Sequence, residues 1–111
     1  MLTNPSKNIA VKYSIYSIND LKLHYERKTG GHWFKPDTMR FFKCRLSEDL
    51  YFGESKVFFV SSEKGPDDVR AYTTRYYEPE TGDIGSVGEF QGHSTLRSAK
   101  VAALKESERD Y

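Results

Sequence analysis

The sequence predicts an α+β domain: an antiparallel sheet of four or five strands in a meander, packed by two helices, in the order β-α-β-β-β-β-α. Three observations predict it. Strand-type runs follow one another across turns of hairpin length, which favours antiparallel neighbours. Two amphipathic stretches, near residues 17–29 and 95–109, carry helix start signals. Sixteen aromatic residues in 111 supply the buriable area that disordered chains lack. A chain of this length makes one domain, residues 1–111, with its core over about residues 9–108.

Taken in order, Ile9, Val11, Tyr13 and Ile15 recur at period two, the pattern of a half-buried strand over residues 9–16. Ser17 and Asp20 then form an S-x-x-D helix start. Ile18, Leu21 and Tyr25 share one helical face, Arg27 and Lys28 suit the negative end of the dipole, and Gly30-Gly31 ends the helix. Residues 32–38 read as an irregular loop. Strands are expected over residues 39–46, 56–60, 69–78 and 84–91, with Gly85 and Gly88 marking a bulge or a close backbone approach. Ser94 or Thr95 caps a final helix to about Arg109, where Leu96, Ala99, Ala103 and Leu104 fall roughly on one side and small residues let it sit close to the sheet. Such a sheet is expected to be helix-covered on one face and solvated on the other.

Composition removes several function classes. No window reaches the ~20 apolar residues of a membrane span. Residues 1–8 are polar and no apolar run follows, so no secretory signal is expected. The single cysteine, Cys44, precludes an internal disulfide and points to a reducing, cytoplasmic setting. On its alternating strand, Cys44 reads as a buried inert thiol. His24, His32 and His93 have no metal-ligand spacing and read as loop or surface residues. Acids gather in three turns as solvated hairpin ends rather than in a calcium loop, and no phosphate-binding glycine motif surrounds Gly30-Gly31. No catalytic residue, metal site, cofactor or small-molecule substrate is therefore assigned, and the expectation is a non-enzyme.

Charge is uneven along the chain. Residues 1–45 hold nine Lys/Arg against three Asp/Glu, and residues 46–111 hold eight against thirteen, within a formal total of +1. Aromatics interleave with the cations: Trp33, Lys35, Arg40, Lys43 and Arg45 form one group, Arg70, Tyr72, Arg75 and Tyr77 another. Two readings follow. Tyr, Trp and Arg dominate protein interfaces. Arginines beside stacking aromatics on one sheet face would equally suit nucleic acid. With near-neutral charge, a protein partner is the first expectation and nucleic acid the alternative.

Residues 31–42, reading Gly-His-Trp-Phe-Lys-Pro-Asp-Thr-Met-Arg-Phe-Phe, carry a resemblance. Together with Phe59-Val60-Ser61-Ser62-Glu63, Thr74-Arg75, Thr81-Gly82 and Val87-Gly88-Glu89-Phe90-Gln91, they resemble a family of small uncharacterised proteins of bacteria, phages and mobile elements, known only as a domain of unknown function. The resemblance spans about residues 18–105. It implies a phage or mobile-element accessory protein that binds a host or viral macromolecule, with an anti-defence or regulatory role. The stretch from Thr74 onward is also similar in outline to the DNA-binding arms of phage integrases, although its strand after Thr81-Gly82 carries acids instead of cations.

Overall fold

The computed structural model describes residues 9–31, 45–64, 69–88 and 92–109. Its first element corrects the sequence reading: residues 9–16 form no strand but a short helix, α1 (Ile9–Tyr13), and a turn. A strand would have turned Ile9, Val11, Tyr13 and Ile15 to one side. Instead the consecutive Ile9 and Ala10 are both buried while Val11 is 67% exposed. The helix closes with paired bonds. Ile15 N–H donates to the Ala10 carbonyl (2.9 Å) and Ser14 N–H to the Val11 carbonyl (3.3 Å), with Ser14 left-handed at φ 56°. That conformation costs a non-glycine residue roughly 1–2 kcal/mol. It is offset by the burial of Ile15 in the cluster that holds Ile9 and Ala10.

α2 (Ile18–Thr29) begins and ends where its sequence signals lie. The Ser17 hydroxyl accepts from Asp20 N–H (3.2 Å), and the Asp20 carboxylate accepts from Tyr16 N–H (3.1 Å), satisfying two donors at the helix entry. At the exit, Gly30 takes φ 73° and donates to the Glu26 carbonyl (2.8 Å).

Among the described residues, five strands make one antiparallel sheet: β1 (Arg45–Leu46), β2 (Tyr51–Phe52), β3 (Val57–Lys64), β4 (Arg70–Glu78) and β5 (Asp83–Ser86). The order is β1-β3-β4-β5, and β2 pairs with β3 on the β1 side. β1 and β2 form one interrupted edge. Leu46 faces Ser61 and Tyr51 faces Phe58, so residues 47–50 span the two positions 59–60, a bulge that ends regular pairing. The expected strand over 39–46 is therefore described only at β1; residues 39–44 lie outside the described residues. Of the strand expected over 84–91, β5 is described to Ser86; residues 89–91 lie outside the described residues. Gly85 does meet a close approach: a side-chain carbon there would lie 2.9 Å from the Tyr76 hydroxyl oxygen.

Both faces of the sheet are covered, where one solvated face was expected. Val57, Phe59, Phe52 and Tyr77 pack with Ile9 of α1, Leu21 of α2 and Ile15 of the turn between them. On the other face Phe58, Val60 and Tyr51 pack with Ala99 and Ala103 of α3 (Leu96–Arg109). Thr95 Oγ1 caps α3 by accepting from Ser98 N–H (3.1 Å). The stripe Ala99, Ala103, Ser107 lies against the sheet, and Thr74 Oγ1 donates to the Ala99 carbonyl (3.0 Å) across the buried contact. The unbroken apolar run of β3 is the sequence cause, since a strand buried on both sides cannot alternate. Among the described residues, no helix is long and apolar enough to cross a membrane.

A candidate interaction surface on the last helix

Strand alternation decides where the sequence-nominated side chains of β4 point. From the register, Arg75 and Tyr77 lie with Phe59 and Val57 on the α2 face, whereas Arg70 and Tyr72 lie with Lys64 and Ser62 on the α3 face. They do not form one basic-aromatic face. Tyr77 is wholly buried and joins the core under α2, so it has no ring face to offer a base. Arg70 Nη1 donates to Ser62 Oγ (2.7 Å). The Tyr72 backbone exchanges two hydrogen bonds with His93, and its ring packs against the α3 cluster. Arg45 is exposed on β1. Trp33, Lys35, Arg40 and Lys43 lie outside the described residues, as do Cys44 and His32.

Arg75 belongs to a buried polar network that the sequence did not announce. β3 turns polar after Val60, yet Ser61, Ser62 and Glu63 stay buried, so each polar group needs a partner. Ser61 Oγ donates to Glu63 Oε2 (2.6 Å) and Thr73 Oγ1 to Glu63 Oε1 (3.0 Å). Arg75 donates through Nε to Ser61 Oγ (2.6 Å) and through Nη2 to Glu63 Oε2 (3.2 Å). One carboxylate thus accepts from Ser61, Thr73 and Arg75, and its charge and that of Arg75 offset each other inside the fold.

His24, read from sequence as a surface residue, is tied to the core. Its Nδ1 lies 2.6 Å from the Tyr77 hydroxyl, and its ring meets Tyr13 and Tyr77 edge-on at centroid distances of 5.4 and 5.6 Å. Burial lowers the His24 pKa, helped by the nearby Lys28 and Arg27 charges, which favours the neutral ring in its hydrogen bond with the Tyr77 hydroxyl. Burial likewise pushes Tyr77 up to about 12, with a smaller electrostatic effect from Tyr25. His93 Nδ1 is paired with Ser98 Oγ at 2.7 Å. Among the described residues, no group of three or more His, Cys, Asp and Glu could hold a metal ion.

The open surface lies elsewhere. A groove of about 490 Å³ runs beside α3, lined by Tyr51, Leu96, Arg97, Lys100, Val101 and Leu104. Its apolar rim is exposed, Leu96 by 39% and Val101 by 44%. These residues flank the Ala99, Ala103, Ser107 stripe, so the helix presents a second apolar face after the first is buried. Leu96 also borders a smaller cleft of about 180 Å³ with Arg45, Ser47, Ser62 and Tyr72. Lys100 on the rim pairs with Asp49 (2.7 Å), and that hydrogen bond raises its pKa. Arg45 and Arg97 make no ion pair with any described residue. The sequence did hold the signal for this groove: Leu96, Val101 and Leu104 do not all fit the buried stripe.

A family model described as a family of unknown function (DUF7447) matches residues 17–104. The chain belongs to this family. The span shared with DUF7447 starts at the Ser17 cap, contains the whole sheet and the Glu63–Arg75 network, and ends at Leu104 in the groove; α1 precedes it. Comparison with curated proteins and with solved structures gives no match.

Two outcomes follow. Glu63→Ala removes the buried carboxylate that Ser61, Thr73 and Arg75 share and should cost about 3–5 kcal/mol in urea denaturation, so a loss below ~1 kcal/mol would contradict the network. In the second, unfolded His24 binds a proton near its ordinary 6.5 while folded His24 resists it until lower pH. The unfolded state then holds more protons in that window. The stabilisation from neutral His24 is complete above about pH 6.5 and is lost as pH falls through the lowered folded value. Thermal melts from neutral to mildly acidic pH should show this decline, and His24→Gln, which keeps an acceptor for Tyr77 but cannot titrate, should flatten it.

Proposed function

We propose that the chain is a non-enzymatic binding module whose partner is a protein, docked on the outer side of α3. The observation that carries this reading is the groove between Tyr51 and the Leu96, Val101, Leu104 side of α3, an apolar surface left open beside a helix whose sheet-facing stripe is already committed. Contiguous exposed apolar surface rimmed by charge is what protein partners cover. The non-enzymatic part draws support from how the reactive groups are used. His24 and His93 each engage a hydroxyl, and both Glu63 oxygens accept from neighbours.

The setting, a phage or mobile-element accessory protein acting on a host factor in the cytoplasm in an anti-defence or regulatory role, rests on the resemblance around residues 31–42 and on the lone cysteine. Nucleic-acid binding is the less favoured reading. Of its second cation-aromatic group, Arg75 and Tyr77 are engaged inside the fold, which leaves Arg70 and Tyr72 beside Arg45 on the other side.

Anisotropy titrations with labelled single- and double-stranded DNA and RNA, from about 50 to about 300 mM salt, separate the two readings. The protein-docking reading predicts no steeply salt-dependent binding. It also predicts discrete protein adducts in host-cell lysate from a photo-crosslinker placed at Val101, and none from one at Glu80 in the β4–β5 turn. Tight, salt-sensitive nucleic-acid binding without Val101 adducts would reverse the order.

A further inference from the structure

We infer that the occupant of the α3 groove is an acidic amphipathic helix of the partner protein. This rests on the protein-docking reading above and specifies what docks. Shape supports a helix. Leu96, Val101 and Leu104 spread along nine positions of α3, about 12 Å at the helical rise, with Tyr51 beside them. A partner helix with apolar side chains at i, i+3 or i+4, and i+7 spans about 10 Å and fits that length.

A strand occupant has no comparable seat. The sheet edge beside the groove is β1 and β2, two residues each, broken by the bulge at residues 47–50. Addition of a strand needs a continuous row of backbone donors and acceptors, which this edge lacks among the described residues.

Charge selects an acidic helix. The two adjoining clefts that share Leu96 are lined by three cations, Arg45, Arg97 and Lys100, and by no carboxylate among the described residues. Lys100 is already answered by Asp49. Arg97 and Arg45 are exposed on either side of Leu96 and make no ion pair with a described residue. A guanidinium presents a planar fork that matches a carboxylate with two parallel hydrogen bonds. Glu or Asp one turn away from the partner's apolar anchors would meet these arginines. Basic segments would be repelled from the same rim.

The test is a display selection of random 16-residue peptides on the full-length chain, compared with the Val101→Asp chain, whose fold is checked by its thermal melt. The inference predicts that peptides lost on Val101→Asp carry apolar residues at helical spacing with Asp or Glu between them. Their synthetic forms should become helical on binding, weaken with salt, and lose roughly tenfold or more in affinity against Arg97→Glu. Val101-sensitive peptides that are neutral, basic or extended would overturn the acidic helix and leave the docking reading standing. Self-association of the chain that Val101→Asp abolishes would overturn it in favour of a second copy. No Val101-sensitive peptide at all would overturn both.

Discussion

Enclosure of β3 is the constraint on which the rest of this structure depends. The strand pairs on one edge with β1 and β2 and on the other with β4, and carries helices over both faces. Val57, Phe58, Phe59 and Val60 are all buried. At about 1.5–3 kcal/mol for each buried apolar side chain, these four alone contribute on the order of the whole net stability of a small domain. The same enclosure makes the polar half of the strand costly, because Ser61, Ser62 and Glu63 lose water along with their neighbours. Ser61, Thr73 and Arg75 answer Glu63 on one face, and Arg70 answers Ser62 on the other. Cross-strand pairing with β4 supplies both sets, so the register of the central hairpin and its polar network require each other.

The functional consequence is a division of surfaces. A sheet enclosed on both sides offers a partner little beyond Tyr51 and Tyr72, which border the clefts beside α3. Recognition then falls to helix faces that packing has not used. α3 provides one because its small-residue stripe brings it close to the sheet while larger side chains to one side of that stripe remain open. Tyr77 shows the same economy within the core: it fills the space under α2 and shares a hydrogen bond with His24, which fixes helix to sheet through a polar contact.

Elements with strong local chemistry were legible in the sequence. α2 carries its cap at Ser17 and its stop at Gly30; β4 is rich in β-branched and aromatic residues; α3 starts after Thr95. α1 was not legible, because Ile9, Val11, Tyr13 and Ile15 fit a strand period while the turn that ends the helix uses Ser14 in a conformation usually given to glycine. β2, with two residues, is too short to leave a pattern. Alternation also explains the dispersal of the nominated site. Arg70, Tyr72, Arg75 and Tyr77 are neighbours in sequence, but strand geometry sends the first pair and the second pair to opposite faces, and one covered by helices is no binding platform. The family match over residues 17–104 agrees with the extent read from the motif, and it leaves function to the surface chemistry.

Hydroxyl-radical footprinting of side chains on the intact protein tests the enclosure most directly. Tyr16 is 64% exposed and Tyr77 is 0% exposed, and both are intrinsically reactive. An enclosed sheet predicts rapid modification of Tyr16 and protection of Tyr77, Phe58 and Phe59 under native conditions, with Leu96 and Val101 among the labelled aliphatic residues. Labelling of Tyr77 and Phe59 at rates near that of Tyr16 would mean that the α2 face of the sheet is open to solvent. Both the burial of β3 and the placement of recognition on α3 would then be contradicted.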